Sequence, residues 1–166
     1  TTFDKGDGAR FNLLYQTVQS LVDNLIYPNL RWAISDDGSP NHYEMVDRVS
    51  KIIPGDDVVF YDTGRRGVGF AKNNALRDAF KVSNLTYLTE DDWWLSAPFD
   101  LLSHVQVMLD NPNIGICRFG FLGGNLTADY VDYGPFLTYW KLKAASGFYC
   151  YSGQNSLRSY EFYRRV

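Results

Sequence analysis

Apolar positions in this chain switch repeatedly between helical and strand-like spacing. Phe11, Leu14, Tyr15, Val18, Leu21, Val22 and Leu25 recur every three or four residues, which predicts an amphipathic helix over 9–25. Pro28-Asn29 interrupts it, and the short apolar run 30–34 then stops on Ser35-Asp36-Asp37-Gly38-Ser39-Pro40. Tyr43, Val46, Val49 and Ile53 resume helical spacing across 42–52. Beyond Pro54-Gly55, residues 58–61 read as a strand, 64–69 as a glycine-rich loop and 70–80 as a helix. Residues 85–89 read as another strand, which ends abruptly on Glu90-Asp91-Asp92. Pro98 suits the first turn of a helix carrying Leu101, Leu102, Val105, Met108 and Leu109, and a strand follows over 114–119. Past 120 the pattern weakens, with 136–143 and 148–151 as strand candidates and 156–165 as a last helix.

Strands alternating with helices predict an α/β fold, a mostly parallel sheet flanked by helices on both faces. In such sheets ligands bind beyond the carboxyl ends of the strands. That rule gathers Asp36-Asp37, the loop 64–69 and Glu90-Asp91-Asp92 along one rim. The length of 166 residues fits one domain, without an internal repeat or linker. A net charge of -3 argues against a general nucleic-acid binder. No apolar stretch approaches the length of a membrane span, and no signal-peptide pattern is present. Cys117 and Cys150 are too few for a disulfide framework, so the expected compartment is the reducing cytoplasm.

Three consecutive carboxylates at a strand end repel one another unless a cation lies between them. Hard ions such as Mg²⁺ or Mn²⁺ suit carboxylates, and those ions suit phosphates. The plainer alternative is a solvated acidic turn before a helix. Asp36-Asp37 repeats the pattern at an earlier strand end, where a carboxylate can accept from a base imide or from ribose hydroxyls. The loop Gly64-Arg65-Arg66-Gly67-Val68-Gly69 follows a strand and opens a helix, as a dinucleotide fingerprint does. Its third glycine position is Lys72, however. What remains is a loop with three cations, suited to a diphosphate at a helix N-terminus. Lys72 is the stronger candidate there, and Arg65 and Arg66 read individually as surface arginines. Of Trp93 and Trp94, one is expected in the core and the other beside a sugar ring. His42 and His104 show no partner, and no nucleophile pattern is present.

The order Thr1-Thr2-Phe3-Asp4-Lys5, Gln19-Ser20-Leu21, Tyr27-Pro28-Asn29-Leu30 and Ser35-Asp36-Asp37-Gly38-Ser39 resembles the opening of glycosyltransferase family 2. Gly67-x-Gly69-x-Ala71-Lys72-Asn73 looks like that family's next motif, and Leu88-Thr89-Glu90-Asp91-Asp92 like its metal-binding Asp-x-Asp site. The resemblance covers roughly 1–109. It implies the family's nucleotide-diphospho-sugar transferase (GT-A) fold, a UDP- or GDP-sugar donor, Mn²⁺ or Mg²⁺, and transfer with inversion to a saccharide or other hydroxyl acceptor. It places Thr2 and Phe3 near the base, Asp36 or Asp37 on base or ribose, and Gly67, Lys72 and Asn73 near base or diphosphate. Asp92 is its metal ligand, with Glu90 toward ribose or metal; a slip of one residue makes Asp91 the ligand. Residues 1–109 then form the donor part and 110–166 an incomplete acceptor part. Asp129, Asp132 and Glu161 are the acids after Asp110, none in a recognisable base motif, so no catalytic base is assigned. A nicotinamide-dependent oxidoreductase and a non-catalytic nucleotide-sugar-binding module are the two rival readings.

Overall fold

The structure, a computed structural model, describes residues 1–119, 128–133, 137–142 and 155–165. The stripe read over 9–25 becomes α1, Ala9–Asn24, and Phe11, Leu14, Tyr15 and Val18 bury against the rest of the chain. Helix α1 has no side-chain cap of its own, because Gly8 stands at its N-cap in the left-handed conformation. Asp4 supplies what the cap lacks. Its carboxylate accepts from the backbone N–H of Gly6, Gly8, Arg10 and Phe11 at 2.7, 3.0, 2.9 and 3.4 Å. A helix start leaves such amides unpaired, and an anion there also meets the positive end of the helix dipole.

After α1 come β1, Leu25–Ile26, and β2, Trp32–Asp36. Helix α2, His42–Ile52, lays Met45 and Val49 fully buried onto α1 and Ile34. Together with β3, Val58–Asp62, the apolar faces of α1, β2 and α2 make the first core cluster. Helix α3, Val68–Ala79, follows the glycine-rich loop, then β4, Leu85–Leu88, and β5, Phe99–Asp100. Asp100 caps α4, Leu101–Asp110, by accepting from the Ser103 N–H at 3.2 Å. Leu101, Val105 and Met108 of α4 pack on Cys117 of β6, Ile116–Arg118, and on Leu157, which founds a second core cluster. The remaining elements are β7, Ala128–Asp132, β8, Thr138–Leu142, β9, Ser156–Ser159, and the single turn α5, Tyr160–Tyr163.

The single, mostly parallel sheet flanked by helices on both faces, expected as the GT-A type, is not what forms. Among the described residues the strands make four small sheets: β2 with β3, β1 with β5, β4-β9-β6, and β7 with β8. The first two pairs are parallel, whereas both pairings of β9 and that of β7 with β8 are antiparallel. Two features describe the difference. Strand β9 inserts between β4 and β6, running against both. Beside it, β2 and β4 do not pair, and a cavity of about 940 Å³ is lined by both, with Val18 of α1, Ala33 of β2, Leu76 of α3 and Tyr87 of β4 in its walls.

The helix expected over 156–165 is corrected by the same insertion. Ser156-Leu157-Arg158-Ser159 carries one apolar side chain, so it shows no alternation to read, yet its first three residues are buried in the middle of a sheet. Only 160–163 are helical. The strand expected over 136–143 is found as β8, and the candidate at 148–151 lies outside the described residues. Among the described residues no helix is long and apolar enough to cross a membrane.

Candidate functional site

The two aspartates that end β2 separate completely. Asp36 is fully buried; its Oδ2 accepts from the Ser39 N–H at 3.1 Å and its Oδ1 from the Ser39 hydroxyl at 2.5 Å. His42 Nδ1 lies 2.9 Å from Oδ2, so the histidine read as partnerless has a carboxylate beside it. Ser39 Oγ in turn accepts from the Asp4 N–H at 2.8 Å. Asp36 thus knots the start of α2 to the N-terminal segment. That segment also runs parallel beside β2: Thr2 N–H donates to the Ser35 carbonyl and Asp37 N–H to the Thr2 carbonyl, both at 2.9 Å.

Asp37 points the other way, toward the glycine-rich loop. Its Oδ1 accepts from the Thr63 hydroxyl and the Arg66 N–H at 2.9 Å, and Gly67 N–H donates to both oxygens at 3.0 to 3.1 Å. The loop amides that a dinucleotide's diphosphate would use are therefore taken by a side chain of the protein. Gly38 permits the close approach: with φ of 80°, it leaves no room for a Cβ, which would sit 2.6 Å from Arg65 N. Arg65 lies over the Phe3 ring at 5.1 Å and Arg66 over the Phe70 ring at 3.8 Å.

The three carboxylates after β4 are held by cations of the chain. Arg10, in the first turn of α1, grips Asp91 in a two-point fork, Nε at 3.1 Å from one oxygen and Nη2 on the other. Its Nη1 reaches Asp92 Oδ2 at 3.4 Å. Burial works against the Arg10 charge, but Asp91 and Asp92 outweigh it and raise the guanidinium above its ordinary value. The Asp91 side chain is buried and its carbonyl accepts from the Thr17 hydroxyl at 3.0 Å, so it is fixed at both ends. Lys72 Nζ, on α3, pairs with Glu90. Asp92 has the most open carboxylate of the three, 42% exposed, with a single long contact to Arg10.

These groups surround one cavity of about 200 Å³, whose walls include Thr2, Phe3, Asp37, Lys72, Glu90 and Asp91. Arg10 and Val68 also line it, and neither is marked by the sequence pattern. One signal for Arg10 is present: a basic side chain at the positive end of a helix is unfavourable unless anions meet it. Thr2, a residue of this wall, is buried, and its hydroxyl oxygen has no hydrogen-bond partner among the described residues. A buried hydroxyl without a partner needs an explanation, and a bound ligand or water is one. Three carboxylates in the wall face two basic side chains, so the cavity does not by itself favour an anion.

Among the expected site residues, Gly67 acts through Asp37, Asn73 is exposed on α3 outside the cavity wall, and Asp36 is sealed in its own knot. Asp92 sits next to the wall residue Asp91. No group of three or more His, Cys, Asp or Glu among the described residues is placed to enclose a divalent ion. Mg²⁺ can be held by one or two carboxylates with water and substrate phosphates. Asp92, the most open of the three acids, meets the Arg10 guanidinium.

Away from the cavity, Trp94 is 56% exposed and Trp93 half-buried. His104 stacks on Phe99, and its Nδ1 meets the Tyr139 hydroxyl; burial lowers its pKa from the usual value. Cys117 is a free buried thiol pushed up to about 11 by desolvation, which makes it inert packing rather than a nucleophile; Cys150 lies outside the described residues. Comparison of the chain with family models, with curated proteins and with solved structures finds no match.

Proposed function

We propose that this chain carries the donor site of a metal-dependent, inverting glycosyltransferase that uses a UDP- or GDP-sugar. The observation that supports the reading is the meeting of four distant segments at one cavity: Thr2-Phe3, Asp37, Lys72 and Glu90-Asp91. Phe3, already layered against Arg65, offers a face for a nucleobase. Thr2, whose buried hydroxyl has no hydrogen-bond partner among the described residues, stands in the same wall. Lys72, paired with Glu90 in the cavity wall, would meet the diphosphate, and Asp92 would be the ligand for Mn²⁺ or Mg²⁺. When bound, such an ion neutralises the charge that develops on a departing diphosphate.

The wall's basic side chains are already paired, Arg10 with Asp91 and Lys72 with Glu90, so little free positive charge remains for a nucleotide diphosphate and a divalent cation would supply it. The oxidoreductase reading loses support at Asp37, which occupies the amides of Arg66 and Gly67. Calorimetric titration with UDP and with GDP, each with Mn²⁺ and with chelator, tests the proposal. One nucleotide should bind in the presence of Mn²⁺ and release on chelation, and Asp92→Ala should abolish that metal dependence. Undiminished metal-dependent binding by Asp92→Ala would sink the assignment of the ligand; failure of both nucleotides to bind would sink the donor reading.

A further inference from the structure

Among the described residues, strands β2 and β4 each pair along one edge only. The alternation of a ladder fixes which groups the other edges present. Trp32 N–H and the Asp36 carbonyl bond toward β3, so Ala33 and Ser35 turn their backbone groups to the cavity of about 940 Å³. Tyr160 N–H donates to the Asn84 carbonyl, which puts Thr86 and Leu88 in bond with β9 and leaves Leu85 and Tyr87 on the cavity side. Both strands point the same way, since Asp37 and Glu90, just past their carboxyl ends, share the wall of the small cavity. Two rows of backbone groups thus edge the large cavity, and Val18 of α1, Leu76 of α3 and Leu101 of α4 stand in its apolar walls. At its carboxyl end the row on β2 is already matched. Thr2 N–H donates to the Ser35 carbonyl and Asp37 N–H to the Thr2 carbonyl, in parallel register with Asp36.

We propose that the large cavity seats an extended apolar strand about as long as the 4 residues of β4, which leads directly into Thr1 and pairs with β2 and β4 at once. The chemistry selects a strand over a small apolar ligand, because a backbone brings donors and acceptors in alternation to both rows. It also selects the sequence. Between apolar helices the segment is a continuous hydrophobic run, rich in β-branched residues. The register follows from Thr2: the residue before Thr1 lies opposite Ile34, its N–H donating to the Ala33 carbonyl and its carbonyl accepting from Ser35 N–H. Thr1 fixes the source. It lines both cavities, and burial lowers the pKa of its amino group by desolvating the charge. An amide at that place has no charge to desolvate, so the strand belongs to the same chain rather than to a partner. The inference stands apart from the donor reading but bears on it, since a strand anchored here holds Thr2 and Phe3 in the wall of the small cavity.

The test is hydrogen exchange at single amides of the 166-residue chain, alone and extended before Thr1. The extensions are Val-Ile-Val-Val, the more soluble Thr-Val-Thr-Val, Val-Ile-Val-Pro and Gly-Ser-Gly-Ser, and the Val-Ile-Val-Val peptide is also added free. Proline keeps the apolar bulk but has no N–H for the Ala33 carbonyl. Val-Ile-Val-Val should slow Ala33, Ser35, Leu85 and Tyr87 on the order of a hundredfold more than it slows Trp32, whose N–H already bonds toward β3. Thr-Val-Thr-Val should act in the same direction, and the proline and Gly-Ser runs far less. Exchange at Ser35 and Tyr87 that neither strand-forming run slows overturns the strand. So does equal slowing by all four extensions, or full protection of these amides in the chain without one. Slowing by the free peptide as deep as by the fused run overturns the assignment to this chain and gives the cavity to a partner's strand.

Discussion

At the scale of single residues, Asp4 shows how one carboxylate can stand in for a helix cap and set a pH dependence. Burial would raise its pKa, yet the N–H groups of Gly8, Gly6, Arg10 and Phe11 outweigh that and hold it below its ordinary value of 3.8. A folded-state pKa below the unfolded one means the anion is favoured by folding. The contribution is complete above the unfolded value and is lost as pH falls through the lower folded value. Asp4→Ala should therefore cost about 2 kcal/mol in urea denaturation at pH 7. The gap between wild type and variant should close as the pH falls below 3.8. A gap that persists unchanged in acid would mean that Asp4 acts through packing rather than through its charge. The same aspartate positions Arg10, so the residue that starts α1 also builds the candidate site.

Between elements, the contact that matters most is the one between the β2–α2 turn and the loop before α3. Asp37 reaches across it to Thr63, Arg66 and Gly67, and Gly38 lets the two backbones approach. Gly55 has nearly the same dihedral, φ of 79°, and a Cβ placed there would meet nothing within 4 Å. At Gly38 the same carbon would fall 2.6 Å from Arg65 N. Gly55→Ala should thus lose only backbone preference, about 1 kcal/mol. Gly38→Ala should lose that and add the clash, about 3 kcal/mol in all, and should release the Arg66 and Gly67 amides from Asp37. Chemical denaturation of the two variants side by side isolates the loop contact; equal losses would show that the loops tolerate being pushed apart.

Much of this was legible along the chain, and the remainder was hidden for physical reasons. Helical spacing located α1, α2, α3 and α4 to within a few residues, because each has a continuous apolar stripe to bury. Turn chemistry located Asp36-Asp37 and the first part of the loop read over 64–69, since Gly64 and Gly67 do take positive φ, whereas Val68 and Gly69 already belong to α3. Burial did not follow from spacing: Asp36 and Asp37 are adjacent and chemically identical. Only the fold sends one into a knot with Ser39 and His42 and the other to a cavity wall. Nor could Arg10 be paired with Asp91 across 81 positions. Strand β9 was invisible because its partners, not its own side chains, make it a strand.

At the scale of the whole molecule, the break between β2 and β4 divides the protein into two packed halves. One is built on Phe11, Met45 and Val49, the other on Leu101, Met108 and Leu157. Helix α1 spans the break. Its inner face belongs to the first core, while the Thr17 hydroxyl donates to the Asp91 carbonyl, Ser20 Oγ accepts from the Leu95 N–H, and the Asn24 amide donates to the Leu95 carbonyl. Arg10 and Asp91 add a fourth tie. No strand-to-strand ladder joins β2 to β4 among the described residues, so the halves are coupled through these polar ties, the Lys72–Glu90 pair and the packing of Leu76 of α3 with Leu88 of β4. Units joined by few apolar contacts open separately. Native-state hydrogen exchange should then resolve two levels of protection, one shared by β2, β3 and α2 and another by β4, β6 and β9. Within β2 the amides should also divide. Trp32 N–H donates to the Asp57 carbonyl on the β3 side, whereas Ala33, pointing the opposite way in an alternating ladder, faces the cavity and should exchange much faster. Arg10→Lys should bring the two levels further apart by weakening the tie at Asp91. A single protection level for both halves, with Ala33 as slow as Trp32, would show that the cavity is no break at all.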